Sequence, residues 1–223
     1  MTMNPTLNPI KIIIADDHAL VRAGLIVYLE RDPGLKVVAE AGTGTALVSL
    51  TEVHKPDVVF TDIQMPEMDG IEATGLITKQ WPGTAVIALT MFNEKYMVAG
   101  MLRAGARGYI LKGSHTNELL KAIRAVSNNQ PYYCPGATLE VNSLISSNEY
   151  NPVTGEVKMA LTLRETTVLL LICNQKTNKE ISEILGISIR TVEYFRSSLF
   201  LKTNVNNVAG LVAYAIKQGI YNP

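Results

Sequence analysis

Cysteine, aromatic side chains and net charge are all scarce in this chain of 223 residues. Its two cysteines, Cys134 and Cys173, lie in different regions. They exclude a disulfide framework and a cysteine-based metal cluster, and they fit a reducing cytoplasm. Lys plus Arg equals Asp plus Glu at 20 each, so bulk charge points to neither nucleic acid nor a membrane surface. No apolar run approaches the ~20 residues that span a bilayer. Residues 1 to 9 carry neither a basic n-region nor a long apolar core, so no secretory leader is expected. What remains is globular in composition, 47% hydrophobic and 18% charged, and long enough for one or two domains. The charge is unevenly spread. From Met159 to Pro223 there are seven Lys/Arg and four Glu, a net of 7 − 4 = +3, which leaves −3 for the rest.

The stretch DVVFTDIQMPEMDG, residues 57 to 70, anchors the first half. Val58, Val59 and Phe60 suit a strand buried on both faces. Asp62 ends the run, and Pro, Asp and Gly then force a turn. Around it, strands and helices alternate five times. IKIIIA, LKVVAEA, the Val58 run, AVIALT and GYILK are the strands. Helical patterns follow each of them, at residues 20–29, 43–54, 70–80, 93–104 and 116–127. Such alternation predicts a parallel sheet covered by helices on both faces, and 2-1-3-4-5 is a doubly wound order for five strands. Asp16 and Asp17 end strand 1, Asp62 strand 3, Thr90 strand 4 and Lys112 strand 5, so all five polar groups meet at one edge.

Three carboxylates crowded together repel unless a cation joins them. Oxygen ligands on a half-open rim suit Mg²⁺, which keeps several waters. An ammonium and a hydroxyl nearby complement phosphoryl oxygens, and a carboxylate can act as the nucleophile of an aspartyl phosphate. Taken singly, each residue reads as a cap, a solvated strand end or a salt-bridge partner; taken together they read as a site.

Through ADDHALVRAGL, FTDIQMPEMDG, ALT and GYILKG, residues 10 to 128 resemble the receiver domain of bacterial two-component response regulators. The resemblance implies a CheY-like α/β fold in which Asp62 accepts phosphate from a sensor histidine kinase. It implies Mg²⁺ bound directly by Asp17 and Asp62, by Asp16 through water, and by the backbone carbonyl of Gln64. Thr90 and Lys112 would contact the phosphoryl oxygens, and Tyr109 matches the aromatic residue that changes rotamer with Thr90. One departure is Gly113, where receivers often have Pro.

From residue 129 the composition turns to Asn, Ser, Pro and Gly, read as a linker (131–159) with one short helix around Leu139, Val141, Leu144 and Ile145. It separates a first domain at 8–130 from a second at 160–223. The second is helical throughout. T-x-x-E occurs at Thr162–Glu165 and Thr177–Glu180, the capping-box spacing. NKEISEIL closes at Gly186, Ser188 caps IRTVEYFRSSLFLK, and a fourth helix covers 207–218. Through LTLRE, NKEISEILGIS, RTVEYFRSSL and VAYAIKQG, this tract is similar to the LuxR-type four-helix, helix-turn-helix domain, and the whole chain to NarL/FixJ-type regulators. It departs at Gln175, where Gly is usual, at Phe195 (His), at Thr203 (Leu) and at Val208 (Arg). Spacing turns Val192, Phe195 and Leu199 toward the core and Glu193, Tyr194 and Ser197 outward to base edges. Lys179, Arg190, Arg196 and Lys202 are candidate phosphate contacts, with Thr191 beside them.

The expectation is a cytoplasmic, phosphorylation-controlled transcription factor and not an enzyme, which reads paired half-sites on double-stranded DNA. Phosphorylation would favour a homodimer, release the recognition helix, or both. The rivals are a phosphatase built on the same acidic rim and a receiver that no longer takes phosphate. The first commonly needs a carboxylate where Gln64 stands, and the complete set of Asp17, Asp62, Thr90 and Lys112 speaks against the second.

Overall fold

The structure is a computed structural model, and it describes residues 8–91, 94–147, 149–151, 156–157 and 160–223. The chain divides into two compact units, Met1–Val157 and Lys158–Pro223.

The first unit is built on parallel strands β1 (Ile10–Ala15), β2 (Leu35–Ala41), β3 (Val58–Thr61), β4 (Ala85–Thr90) and β5 (Gly108–Leu111). Between them run helices α1 (Ala19–Leu29), α2 (Gly44–His54), α3 (Gly70–Gln80) and α4 (Lys95–Arg103), and α5 (Asn117–Ser127) follows β5. The strand order begins β2-β1-β3-β4-β5, as the alternation predicted. Successive side chains of a strand point to opposite faces. One face sets Ile12, Ile14, Phe60, Ile87, Leu89 and Ile110 against Leu29 of α1 and against Leu119, Ile123 and Val126 of α5. Central strands buried on both sides explain why these segments read as unbroken apolar runs. The fourth helix begins at Lys95; residue 93, its expected start, lies outside the described residues.

A sixth strand was not expected. β6 (Tyr132–Tyr133) pairs in parallel with β5 and extends the order to β2-β1-β3-β4-β5-β6. Two residues are too short to show a period, so sequence could not reveal it. Helix α6 (Pro135–Ser146) follows at once, with Pro at its first turn, where a missing N–H costs nothing. Ala137, Val141 and Leu144 are buried. The helix packs against α4 and β5, and Gly136 allows the approach, since a Cβ there would lie 2.8 Å from Leu111 Cδ1. Half of the stretch read as linker thus packs into the first unit. A small antiparallel pair follows, β7 (Tyr150–Asn151) with β8 (Glu156–Val157). Residues 148, 152–155 and 158–159 of that stretch lie outside the described residues.

The second unit has four helices, α7 (Leu163–Cys173), α8 (Asn178–Leu185), α9 (Ile189–Thr203) and α10 (Val208–Lys217). Both capping boxes form, at Thr162 with Glu165 and at Thr177 with Glu180. Gly186 closes α8 in the left-handed region, and the Ser188 side chain caps α9. Val168, Leu169, Ile172, Ile181, Val192, Leu199 and Leu211 make the core.

If α6 belongs to the first unit, Leu144→Ala empties a fully buried site, and urea unfolding of the full chain is expected to show a loss of about 2–5 kcal/mol. A helix that merely bridges two domains would lose less than about 0.5 kcal/mol.

Candidate functional site

The carboxyl edge of the sheet gathers the acidic residues. Ala15 accepts a hydrogen bond from the Asp62 N–H at 2.8 Å, which locks the end of β3 beside that of β1. Asp16 and Asp62 are 1% and 4% exposed, whereas Asp17 faces solvent. The turn after Asp62 folds back so closely that a Cβ on Gly70 would sit 1.9 Å from the Asp62 carbonyl oxygen, so only glycine fits.

Lys112 binds this edge together. The backbone N–H of Lys112 donates to Thr90 O at 2.8 Å, continuing the β4–β5 pairing. Its Nζ lies 2.6 Å from Asp62 Oδ2 and 2.7 Å from Asp16 Oδ2. Burial alone would lower the lysine pKa, but the hydrogen bonds and charges of Asp16 and Asp62 outweigh it and raise the pKa above its ordinary value. The Lys112 ammonium thus meets the otherwise unpartnered buried oxygen of Asp16. The second carboxylate oxygen of Asp62 accepts from the Ile63 N–H at 2.7 Å.

Three carboxylates and the His18 ring place one ligand atom each within 4.8 Å of one another. With carboxylate oxygens gathered on a partly open rim, the residues fit a small hard divalent cation. The side chain of Gln64 is exposed, two residues beyond Asp62. Thr90 is fully buried at the end of β4, and Tyr109 is buried on β5. Burial, then the negative charge of Glu94, pushes the Tyr109 hydroxyl far above its ordinary pKa, so it stays protonated. Glu94 itself keeps a buried carboxylate oxygen with no hydrogen-bond partner. Asp16, Asp17, Asp62 and Lys112 therefore meet at one edge, with Thr90 ending the strand beside Lys112; His18 at that edge, and Glu94, whose charge acts on Tyr109, were missed. Adjacency to Asp16-Asp17 was the signal for His18, and nothing in the sequence marked Glu94.

In the second unit, Lys179, Arg190, Glu193, Tyr194 and Ser197 are exposed and Thr191 is half-buried, its hydroxyl 2.8 Å from that of Ser188. Arg196 is half-buried and lines a cleft with Ile172, Lys176, Val208 and Val212. Phe195 packs against the core, edge-on to Tyr194 with ring centroids 5.6 Å apart. Gln175 takes φ 58, the left-handed conformation that explains the glycine usual there.

Lys202 is a correction. Its Nζ donates to Glu165 Oε2 at 2.8 Å, and the two side chains are 8% and 5% exposed. Ser198 Oγ donates to the other Glu165 oxygen at 2.5 Å. A charge this enclosed does not face outward as a phosphate contact would. Glu165, read from sequence only as a cap, thus joins the amino end of α7 to α9. Burial raises its pKa, but Lys202, Ser198 and the Thr162 N–H prevail and hold it below the usual carboxylate range.

Comparison with known proteins accords with this geometry. Residues 12–124 match the family described as response regulator receiver domain, and residues 159–215 match bacterial regulatory proteins, luxR family. The chain belongs to the response regulators. It is 35% identical over 212 residues to the oxygen regulatory protein NreC of Staphylococcus epidermidis, covering 93% of this chain and 97% of that protein. The NreC of Staphylococcus aureus strain MRSA252 is 37% identical over 211 residues, with the same coverage. Among solved structures, the response regulator RcsB in complex with DNA superposes with a TM-score of 0.62 at 27% identity, covering 94% of this chain and 98% of that one. RcsB from Salmonella enterica serovar Typhimurium, bound to a promoter in the presence of a phosphomimetic, gives 0.63 at 27% identity, covering 93% and 98%. This response regulator pairs a receiver with a LuxR-type DNA-binding domain, and DNA binding is its function.

Three measurements check the second site. Lys202→Met leaves the Glu165 charge buried and unpaired, so the second unit is expected to lose about 3 kcal/mol in urea unfolding. Lys179→Ala should cost less than about 0.5 kcal/mol in stability yet weaken DNA binding and lower its salt dependence. With a depressed folded pKa, the Glu165 contribution is complete above the unfolded carboxylate value, about 4.3, and is lost as pH falls through the folded one. Acid unfolding of wild type followed from pH 7 downward should show that loss, and Glu165→Gln should flatten it.

Proposed function

We propose that this response regulator is switched by transfer of a phosphoryl group from a sensor histidine kinase to Asp62. The Lys112 ammonium bridging Asp16 and Asp62 supports the reading most, since it fixes a cation beside the one buried carboxylate that ends the central strand. An Asp62 oxygen attacks the phosphorus of a phosphohistidine. The O–P bond forms, the P–N bond breaks, and the leaving imidazole takes the electron pair and a proton. Asp16, Asp17, Asp62 and the Gln64 carbonyl would hold Mg²⁺, whose charge shields the attacking carboxylate from the incoming phosphate. Lys112 and Thr90 then serve the phosphoryl oxygens from the opposite side.

Drawing Thr90 and Tyr109 toward the phosphoryl group reshapes α4, β5 and whatever packs on them, which here includes α6. A single recognition helix with few basic neighbours binds DNA weakly, about 10⁻⁴ to 10⁻⁶ M without specificity at physiological salt. Two copies reading paired half-sites gain about 10²-fold or more by avidity. Phosphorylation therefore acts by favouring the homodimer, with α10 as a second contact between copies, in a cytoplasmic protein that has no catalytic turnover beyond losing its own phosphate. That RcsB forms dimers on DNA accords with this reading.

Wild type incubated with acetyl phosphate and Mg²⁺ should gain one phosphoryl group by intact mass, and sedimentation should then detect a dimer. Asp62→Asn, or removal of Mg²⁺, should abolish the gain. Equal labelling of Asp62→Asn would overturn the assignment. A phosphorylated monomer that binds a tandem site as tightly as a dimer must would overturn the dimer.

A further inference from the structure

We propose that Glu193 selects cytosine at one position of the DNA site, by accepting from the cytosine amino group and by penalising every base that turns an acceptor toward it. The proposal rests on α9 as the helix that enters the major groove, and it is independent of Asp62 as the switch.

The faces of α9 carry it. Successive residues of a helix turn through about 100°. Val192, Ser198 and Leu199 are buried, and Lys202 turns inward to Glu165. The side opposite these four is centred between Glu193 and Ser197, one turn apart, with Arg190 a turn before them, and all three are exposed. Glu193 therefore stands midway along the ridge that points away from the core. It is the single carboxylate of Ile189–Thr203, a helix that also holds the cations Arg190, Arg196 and Lys202. Lys202 is taken by Glu165, and Arg196 lines the cleft with Ile172 and Val212. Among the described residues the Glu193 carboxylate has no ion pair or hydrogen bond, so its charge is left to what meets the ridge.

Base chemistry sets the choice. In the major groove cytosine presents its N4 amino donor, guanine the acceptors N7 and O6, thymine the acceptor O4, and adenine an N7 acceptor beside its N6 donor. An ionised carboxylate only accepts. It bonds cytosine unopposed and is repelled by guanine and thymine. At adenine it bonds N6 while its other oxygen faces the N7 lone pair. The same charge repels the DNA phosphates, so any base but cytosine leaves that cost without compensation. The acid thus weakens binding to most sequences and recovers part of the loss at one, which makes repulsion as much a source of specificity as the contact.

Selection by the full chain from a pool of duplexes with randomised positions, with and without acetyl phosphate, tests it. Wild type should enrich cytosine at one position, and titration of duplexes carrying each base there should favour cytosine by about 10-fold or more. Glu193→Gln, whose amide both donates to N7 and accepts from N6, should move the preference at that position to adenine. Glu193→Ala should lose the preference there alone, keep the rest of the selected sequence, and bind the other three duplexes more tightly than wild type does. The side chain is exposed, so both variants should keep the wild-type thermal midpoint, which checks their fold. If Glu193→Ala tightens all four duplexes alike, or keeps the cytosine preference, Glu193 is only a solvated acid and the proposal is refuted. An adenine preference in wild type refutes it equally. A cytosine lost in Glu193→Ala yet selected alike with and without acetyl phosphate supports the proposal and counts against the switch at Asp62. If wild type enriches no sequence in either condition, α9 is not a reader and the proposal falls.

Discussion

The receiver depends on one balance of charge. Two buried carboxylates at the ends of neighbouring strands repel each other at close range, and the Lys112 ammonium reaches both. Its position is a consequence of sheet register. β4 and β5 pair so that Thr90 faces Leu111, and the next backbone bond sets Lys112 directly beyond it. The Asp62 carboxylate, the Lys112 ammonium and the Thr90 hydroxyl are thereby placed by backbone hydrogen bonds at strand ends, which is the condition for preorganised electrostatics. The glycine at position 70 serves the same end, because the chain after Asp62 has to pass against its carbonyl.

The second unit repeats this economy with a single acid. Glu165 completes a capping box on α7 and at the same time receives Ser198 and Lys202 from α9. A buried ion pair of this kind contributes less to net stability than to fixing which helix faces meet. It leaves the outward face of α9 to Glu193, Tyr194 and Ser197, with Lys179 and Arg190 exposed nearby on α8 and at the start of α9.

Those outward residues, and the strand-end set of Asp16, Asp17, Asp62, Thr90 and Lys112, were legible because each stands at a fixed offset from an apolar period. Strand ends announce themselves where a β-branched run stops, and helix faces where a spacing of three or four repeats. Lys202 was misread for the converse reason. A lysine in the last turn of a helix looks the same from sequence whether it faces phosphate or an acid 37 positions away. β6 escaped because two residues show no alternation; the short helix was legible, but its packing on the first unit was not, because Leu139 and Ile145 of α6 are exposed while Val141 and Leu144 are buried, which blurs the helical stripe. Gln175 shows the limit in another way: its left-handed backbone is a property of the turn, and a glutamine carries no mark of it.

The way α6 is rooted ties it to the last strands of the sheet. Tyr109 pairs with Tyr133, and the Tyr109 carbonyl accepts the N–H of Cys134, the residue that immediately precedes the helix. The helix is therefore rooted on the same strand that carries Tyr109. Twelve residues at 1.5 Å each make an arm of about 18 Å. Because Ala137, Val141 and Leu144 are buried along that arm, a shift of β5 or α4 has to be followed by the whole helix rather than absorbed at one contact.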